Sequence, residues 1–278
     1  MKALYASLRQ HPLSILGHGF VAFSVLWTAT EALNHFFTWF ELRSTAWFYV
    51  MLGVSVCYSI YRLWRPSSLV IALPMSNVSI EIVFGDLFAQ DGVAAIPTNE
   101  FFDSELGLPV SAKSVHGILL QRCFGGHGDA FDRQVSAKLA KVSRETIPRP
   151  RGKTAKYPIG TSALVEAAGK RYLAFAFTHT DIDTCKAHAD VPQIFKALTG
   201  LWIAARAELG GDALNLPLVG SGLSGVGLPS RDLLNIIILS FVDETRRQTV
   251  VQRMRIVLMW ERISEVDLRE VKQYWEAK

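Results

Sequence analysis

The chain has 278 residues, of which half are hydrophobic and 19% are charged, and its formal net charge is +4 with a pI near 9.0. Residues 1–65 contain five basic and two acidic residues and so carry most of this positive charge, which leaves the rest of the chain nearly neutral. The sequence therefore lacks the basic groove typical of a nucleic-acid-binding protein, and we expect no nucleic-acid partner.

The cysteine pattern bears on metals and redox chemistry. Cys57, Cys123 and Cys185 are widely spaced and form neither a CxxC pair nor a cluster with the seven histidines. We read them as reduced thiols. No metal and no cofactor are expected.

Two stretches without formal charge, residues 10–30 and 44–61, lie near the start of the chain. A helix of about 20 apolar residues crosses a bilayer core. Four of the seven tryptophans lie near the ends of these stretches or between them, as an interfacial belt requires. We therefore predict a transmembrane hairpin over residues 1–65, with spans of about 13–33 and 45–64. The alternative is a buried helical pair inside a soluble fold.

Basic residues flank both predicted spans. Lys2 and Arg9 precede the first, and Arg62 and Arg65 follow the second. The positive-inside rule then places both termini in the cytoplasm, with the lipid bilayer as a partner. Small residues such as Gly53 within the spans allow helices to approach closely, which favours a homo-oligomer.

Residues 66–75 are predicted to be a linker, and residues 76–278 a globular domain with a C-terminal helix. Strands are predicted at 78–86 and 92–99, and a hairpin turns around Gly169 and Lys170. The remaining predicted elements are a helix at 191–209, a strand at 213–220, a helix at 230–247, a strand at 255–260 and a helix at 264–277. This alternation predicts an α/β fold whose sheet is mainly parallel or mixed and covered on both faces.

The strongest local signal is LPLVGSGLSGVGLP at residues 216–229, an apolar strand that leads through a glycine-rich turn into a helix. Backbone N–H groups that converge in such a turn bind phosphate. Gly220, Gly222 and Gly225 fit the dinucleotide fingerprint G-x-G-x-x-G, but a Rossmann loop would begin the domain and would be followed by an acidic residue at the end of a strand. A phosphate loop of the Walker type is excluded because no lysine follows the glycines.

With these motifs the chain resembles the macro domain family over roughly residues 76–262. The family's diphosphate loop, G-[ST]-G-x-x-G, is similar to Gly220–Gly225, and its G-D-[IL] element to Gly85, Asp86 and Leu87. The resemblance implies that Asp86 binds the adenine amino group, that Asn99 serves the distal ribose, and that Trp260 stacks on adenine. It also implies the macro fold, a three-layer structure with a mixed sheet between helices, here preceded by the two-helix hairpin.

A departure from the family bears on catalysis. Hydrolytic macro domains usually carry three glycines soon after the asparagine, whereas this chain has FFDSELGLPVSAKSVHG. That departure disfavours ADP-ribosyl hydrolysis, so we expect a binding protein and no catalytic residue. The substituted stretch resembles the variant in macro proteins of bacterial anti-phage systems, which implies that Ser114 and His116 lie near the distal ribose or a group conjugated to it.

The full set of predicted ligand-binding residues follows from these motifs. They are Asp86, Leu87, Asn99, Ser114, His116, Gly220, Ser221, Gly222, Leu223, Ser224, Gly225, Val226 and Trp260.

The hairpin and the macro domain together are similar to the membrane effector of type II Thoeris defence. The resemblance implies a small-molecule nucleotide signal, histidine-conjugated ADP-ribose, made by a TIR-domain enzyme as functional partner. It also implies a bacterial inner-membrane location, oligomerisation on binding, and membrane disruption that aborts phage infection. The alternatives are a membrane-anchored ADP-ribosyl hydrolase and a passive ADP-ribose-binding anchor.

Overall fold

The computed structural model describes residues 12–37, 44–74, 77–222 and 225–276. The chain forms two compact units, Met1–Ser67 with Trp260–Lys278, and Ser68–Met259. The helices are α1 (Pro12–Phe36), α2 (Thr45–Leu63), α3 (Val115–Cys123), α4 (Asp129–Lys138), α5 (Val191–Glu208), α6 (Ser230–Arg247) and α7 (Leu268–Glu276). The strands are β1 (Ser68–Ala72), β2 (Ser79–Phe84), β3 (Val93–Asn99), β4 (Glu145–Thr146), β5 (Ala155–Lys156), β6 (Ser162–Ala167), β7 (Lys170–Thr180), β8 (Ala187–His188), β9 (Leu214–Pro217) and β10 (Arg253–Leu258).

In the first unit, α1 and α2 pack against each other. Thr30 Oγ1 accepts a hydrogen bond from Trp47 Nε1 at 3.1 Å, and Phe23 lies edge-on to Phe48 with ring centroids 5.7 Å apart. A Cβ at Gly19 would come within 3.1 Å of the Ser59 hydroxyl. The small residue in α1 therefore allows a close approach to α2.

The predicted transmembrane hairpin is wrong. In the part of the chain that the structure describes, no helix combines the length and the apolar character needed to cross a bilayer. Polar residues such as Thr28 and Glu31 in α1, and Ser55 and Arg62 in α2, interrupt the apolar sequence. The finding overturns the predicted spans at 13–33 and 45–64. It equally overturns the predicted placement in the inner membrane with cytoplasmic termini, and it leaves the lipid bilayer without support as a partner.

The second unit is built on an eight-stranded mixed sheet. Its strand order is β1-β2-β10-β9-β3-β7-β6, and β8 pairs with β7. The five strands from β2 to β7 in this order are mutually parallel, whereas β1 and β6 run antiparallel to their neighbours. Strand β1 lies within residues 66–75, the stretch predicted to be a linker. The predicted mixed sheet is confirmed.

Helices cover both faces of this sheet, as predicted. On one face, Leu120 of α3 and Phe131 of α4 belong to a buried cluster with Ala174 and Ala176 of β7. The alternate residues of β7 point to the opposite face, which α5 covers. There Trp202 of α5 is fully buried, and helices α5 and α6 contact each other. The three layers of the predicted macro fold are thus present.

The second helical layer has a defined polar contact within its apolar core. Trp202 Nε1 donates a hydrogen bond to the hydroxyl of Ser240 at 2.9 Å, and the indole ring lies edge-on to Phe241. A buried indole N–H needs such a partner to offset its loss of water. This contact holds α5 and α6 together behind the sheet.

Candidate functional site

The carboxyl ends of β2, β10, β9, β3 and β7 meet at one edge of the sheet because these strands are parallel. Asp86 follows β2, Asn99 ends β3, and Gly220 lies three residues after β9. In open α/β sheets, ligands bind in the crevice outside the carboxyl ends of the strands. The structure therefore brings three of the sequence-predicted site elements to the edge where a ligand is expected.

Asp86 is the N-cap of the short 3-10 turn Leu87–Ala89. Its Oδ1 accepts a hydrogen bond from Phe88 N at 3.0 Å, and its Oδ2 accepts one from Arg122 Nη1 at 2.7 Å. Partial burial alone would raise the pKa of Asp86, but these hydrogen bonds and the charges of Arg122 and Lys170 hold it below its ordinary value. The carboxylate is therefore ionised at neutral pH. Leu87, which follows it, is buried.

Asn99 is committed to the loop that follows β3. Its Nδ2 donates to Asp103 Oδ2 at 2.8 Å, and its Oδ1 accepts from the N–H groups of Phe101 and Asp103 at 3.2 and 3.1 Å. The residue is 9% exposed. These three hydrogen bonds tie the side chain of Asn99 to the loop and hold its amide in one orientation.

A buried ion pair supports this loop. Arg149 Nη2 lies 2.7 Å from Asp103 Oδ2, and both side chains are almost completely buried. Asp103 Oδ1 accepts a hydrogen bond from Lys153 N at 2.7 Å, and the Arg149 guanidinium lies 4.2 Å from the centre of the Phe101 ring. The loop after Asn99 is therefore anchored to residues 149–153 by charge, hydrogen bonding and stacking.

Ser114 and His116, predicted to lie near the terminal ribose, belong to the start of α3. Ser114 is the N-cap: its Oγ accepts from Gly117 N at 2.9 Å and donates to Ser111 O at 2.7 Å. His116 is buried, with its ring 5.0 Å from that of Phe131. Both residues thus have structural roles in this helix.

The neutral state of His116 leads to a testable pH dependence. Burial, and to a lesser degree the charge of Lys153, lowers the pKa of His116 to about 3. The unfolded chain, with a value near 6.5, binds a proton that the folded chain excludes, so stability falls as pH falls between these two values. We expect His116→Phe to reduce that fall by up to ~1.4 kcal/mol per pH unit, measured by urea unfolding at a series of pH values.

The control is His127→Phe, because His127 is an exposed histidine of the same domain. Nε2 of His116 is buried without a hydrogen-bond partner among the described residues. His116→Phe breaks no hydrogen bond at this nitrogen, so the free energy of unfolding at neutral pH should stay within about 1 kcal/mol of wild type. An equal effect of the two substitutions on the pH dependence would contradict burial as its cause.

The glycine-rich loop follows β9 as predicted. Gly220 has φ +83°, Gly225 has φ +65°, and Ser221 Oγ donates to Leu218 O at 2.6 Å. A Cβ at Gly222 would meet nothing within 4 Å, so this position faces open space. Val226 is partly exposed. Leu223 and Ser224 lie outside the described residues, and α6 begins at Ser230.

Trp260 begins the 3-10 helix Trp260–Ser264, two residues after β10 ends. It belongs to the first unit, with α1 and α2, whereas the other predicted site residues lie in the second. Its predicted role in stacking on adenine stays a prediction.

Sequence reasoning missed a polar group beside Asn99. Glu100 is buried, its Oε2 lies 2.7 Å from His179 Nδ1, and its Oε1 accepts from Thr180 N at 3.2 Å. The one available signal was a charged residue directly after an apolar strand. Its partners are 79 and 80 residues away in sequence, so spacing gives no indication of the contact.

Comparison with solved structures defines the fold class. The macrodomain of Oceanobacillus iheyensis, solved as a point mutant, is similar with a TM-score of 0.53 and 13% identity, covering 77% of this chain and 100% of that one. The same macrodomain with ADP gives a TM-score of 0.50 and 12% identity, covering 76% and 98%. At this identity the similarity establishes the fold alone, which is that of a macro domain.

The sequence itself matches a narrower family. Residues 80–259 match the family described as "Thoeris protein ThsA, Macro domain", which is well over half of the chain. The chain therefore belongs to this family, and the resemblance to a macro domain of the Thoeris type is confirmed. No protein of curated function matches the chain.

Proposed function

We propose that this chain is a receptor whose macro domain binds an ADP-ribose-derived nucleotide at the carboxyl edge of the sheet. The single observation that carries the proposal is the placement of Asp86, Asn99 and Gly220–Gly222 along that edge, at the ends of β2, β3 and β9. Membership of the ThsA macro family supports it, as does the similarly folded Oceanobacillus iheyensis macrodomain with ADP.

The three elements suit the three parts of such a ligand. A carboxylate offers about four lone-pair sites. Asp86 can therefore accept a hydrogen bond from the adenine amino group while it keeps its hydrogen bonds with Phe88 and Arg122. The glycine loop presents backbone N–H groups to the diphosphate. Asn99 is held in orientation by Asp103, and we assign to it the contact with the distal ribose.

The proposed role is binding without catalysis. His116, the titratable group assigned to the distal-ribose region by resemblance, is buried and neutral and packs on Phe131. A general base must reach the proton that it removes. The burial of His116 therefore supports a receptor over a hydrolase that uses this side chain.

The proposal extends to the signal and to assembly. As a member of the Thoeris family, the chain would receive its nucleotide, histidine-conjugated ADP-ribose, from a TIR-domain enzyme activated by phage infection. Helices α1 and α2 expose large apolar side chains, among them Phe20 at 73%, Val25 at 64% and Tyr49 at 65%. Exposed apolar side chains favour association between copies when they form a patch, and we propose a homo-oligomer that forms through these helices when ligand is bound.

Sedimentation velocity with and without ligand tests this receptor model. A switch from nearly unassembled to nearly assembled needs a ligand that favours one state by about 5.5 kcal/mol. We expect ADP-ribose or its histidine conjugate to shift the full chain to a larger species. Binding of ligand with no change in assembly would contradict the receptor proposal, and sustained turnover of the conjugate would favour an enzyme.

The role of Asp86 gives a direct prediction. We expect Asp86→Ala to weaken ADP-ribose binding by about 1.5 to 3 kcal/mol, because a hydrogen bond to a charged group is lost. The control is Asp181→Ala, since Asp181 also caps a short exposed turn, with Oδ1 2.7 Å from Thr184 N. Calorimetry that finds the same affinity for Asp86→Ala and wild type would remove Asp86 from the site.

A further inference from the structure

A cavity of about 270 Å³ lies in the macro domain at the carboxyl ends of β3 and β7. Its lining includes Glu100, Arg144, Lys156, His179 and Lys196. None of these residues is in the glycine loop or next to Asp86, and no motif pointed to them. The cavity is large enough for a small organic group, though smaller than a typical site for a whole ligand.

Glu100 gives the cavity a fixed and buried carboxylate. Its side chain is 3% exposed, and its Oε2 lies 2.7 Å from His179 Nδ1 and 3.6 Å from Lys156 Nζ. Its backbone N–H donates to Thr178 O, and its backbone C=O accepts from Tyr157 N. Because both the backbone and the side chain of Glu100 are held in place, its carboxylate orients His179 and Lys156 at the cavity wall.

Lys156 is already the partner of Glu100. The other formal charges of the cavity lining are Arg144 and Lys196 against one carboxylate, Glu145, so the surplus is positive by one charge. The charge of Glu100 is largely satisfied by its own partners. No carboxylate among the described residues pairs with Lys196, which is exposed on α5. Basic side chains beside a carboxylate whose charge is already neutralised attract an anionic group.

We propose that this cavity binds a small carboxylate group, with Lys196 and Arg144 as the cations that meet it and His179 as an oriented hydrogen-bonding group. Two sources supply that chemistry. One is a carboxylate carried on the terminal ribose of the nucleotide, since Glu100 directly follows Asn99; this source rests on the proposed function. The other is a free carboxylate that binds separately from the nucleotide.

The test uses the full chain and two matched derivatives of ADP-ribose. One carries a carboxymethyl group on the anomeric oxygen of the terminal ribose, and the other carries the neutral carbamoylmethyl group of the same size. Free succinate, with and without ADP-ribose, tests the second source. Lys196→Gln removes one charge from the cavity, and Lys138→Gln is the control, because Lys138 is exposed and lies outside the cavity.

We expect wild type to prefer the carboxymethyl over the carbamoylmethyl derivative, and Lys196→Gln to weaken that ligand by about tenfold or more, as loss of a charged hydrogen bond does. Lys138→Gln should have no such effect, and plain ADP-ribose should bind all three proteins equally. If succinate binds while the carboxymethyl derivative is not preferred, and if Lys196→Gln weakens the binding of succinate, the result supports a free carboxylate as the ligand of the cavity.

Two results distinguish failure of this inference from failure of the proposed function. If ADP-ribose binds but neither carboxylate ligand depends on Lys196, the cavity proposal is overturned and the nucleotide site stands. If ADP-ribose does not bind wild type, the proposed function fails. In that case, succinate binding that depends on Lys196 would still support the cavity as a carboxylate site. If succinate did not bind either, the cavity proposal would also be overturned.

Discussion

Gly222→Leu is expected to weaken ADP-ribose binding by about 100-fold or more, because a side chain in the loop displaces the diphosphate from the backbone N–H groups. The structure makes this substitution informative. A Cβ at Gly222 meets nothing within 4 Å, and the residue is outside the positive-φ region. The Cβ of the new side chain therefore meets no atom of the fold. Titration calorimetry measures the loss.

The control for this variant is Gly53→Leu, since Gly53 also has open space around its Cβ and lies outside the macro domain. Gly222→Leu should unfold within about 0.5 kcal/mol of wild type, as surface substitutions usually do. Gly53→Leu lies inside α2 and should be more stable than wild type by about 0.5 to 1 kcal/mol, because glycine is a poor helix former. Tight binding by Gly222→Leu would show that the glycine loop does not hold the diphosphate. A neighbouring position is unsuitable for the test, because a Cβ at Gly220 would lie 3.0 Å from Leu233 and the residue has φ +83°.

The second large effect is on stability. We expect Asp103→Ala to lower the free energy of unfolding by about 3 to 5 kcal/mol, because it leaves the buried Arg149 charge without its carboxylate. Asp103 also accepts hydrogen bonds from Asn99 Nδ2 and Lys153 N, so the same substitution should loosen the loop that carries Asn99. Denaturant unfolding measures the first effect, and ADP-ribose affinity the second.

A double-mutant cycle separates the ion pair from the other contacts. The double variant Asp103→Ala/Arg149→Ala should lose less stability than the sum of the single variants. The matched exposed pair is Asp243 and Arg247, whose side chains are 67% and 72% exposed. Breaking it should change stability by no more than about 0.5 kcal/mol. Similar losses for the two pairs would contradict the importance given to burial.

An α/β fold with a mixed sheet could be predicted from the sequence because its elements have local signals, whereas the macro fold itself was implied by the resemblance of the motifs to that family. Short runs with β-branched residues predicted β2 and β3, and Gly169 marked the turn between β6 and β7, where it adopts φ +71°. The glycine loop was likewise predicted from local composition. These features depend on neighbours in sequence, and each was found where it was expected.

The hairpin was mispredicted because the absence of formal charge was taken as a measure of apolar character. Glycine, serine, threonine and tyrosine carry no charge, yet they give a helix little affinity for hydrocarbon. In α2, for example, the hydroxyls of Ser55 and Ser59 are buried and bond back to Met51 O and Ser55 O. The helices themselves were predicted correctly, but neither of them as described is long and apolar enough to cross a bilayer.

The parts of the site that escaped prediction depend on contacts between distant residues. Asp103 and Arg149 are 46 residues apart, and Glu100 and His179 are 79 apart. Periodicity and motif spacing carry no information on such pairs. The Glu100–His179 contact arises because β3 and β7 are parallel neighbours whose ends lie together. The Asp103–Arg149 contact arises because residues 149–153 lie against the loop after β3.

The most direct test of the central claim is amide hydrogen exchange of the full chain with and without saturating ADP-ribose. We predict slower exchange in peptides that contain Asp86 to Phe88 and Leu218 to Gly222, since both segments would contact the nucleotide at the carboxyl edge of the sheet. Unchanged exchange in both segments, or protection confined to α1 and α2, would contradict the claim that this edge is the nucleotide site.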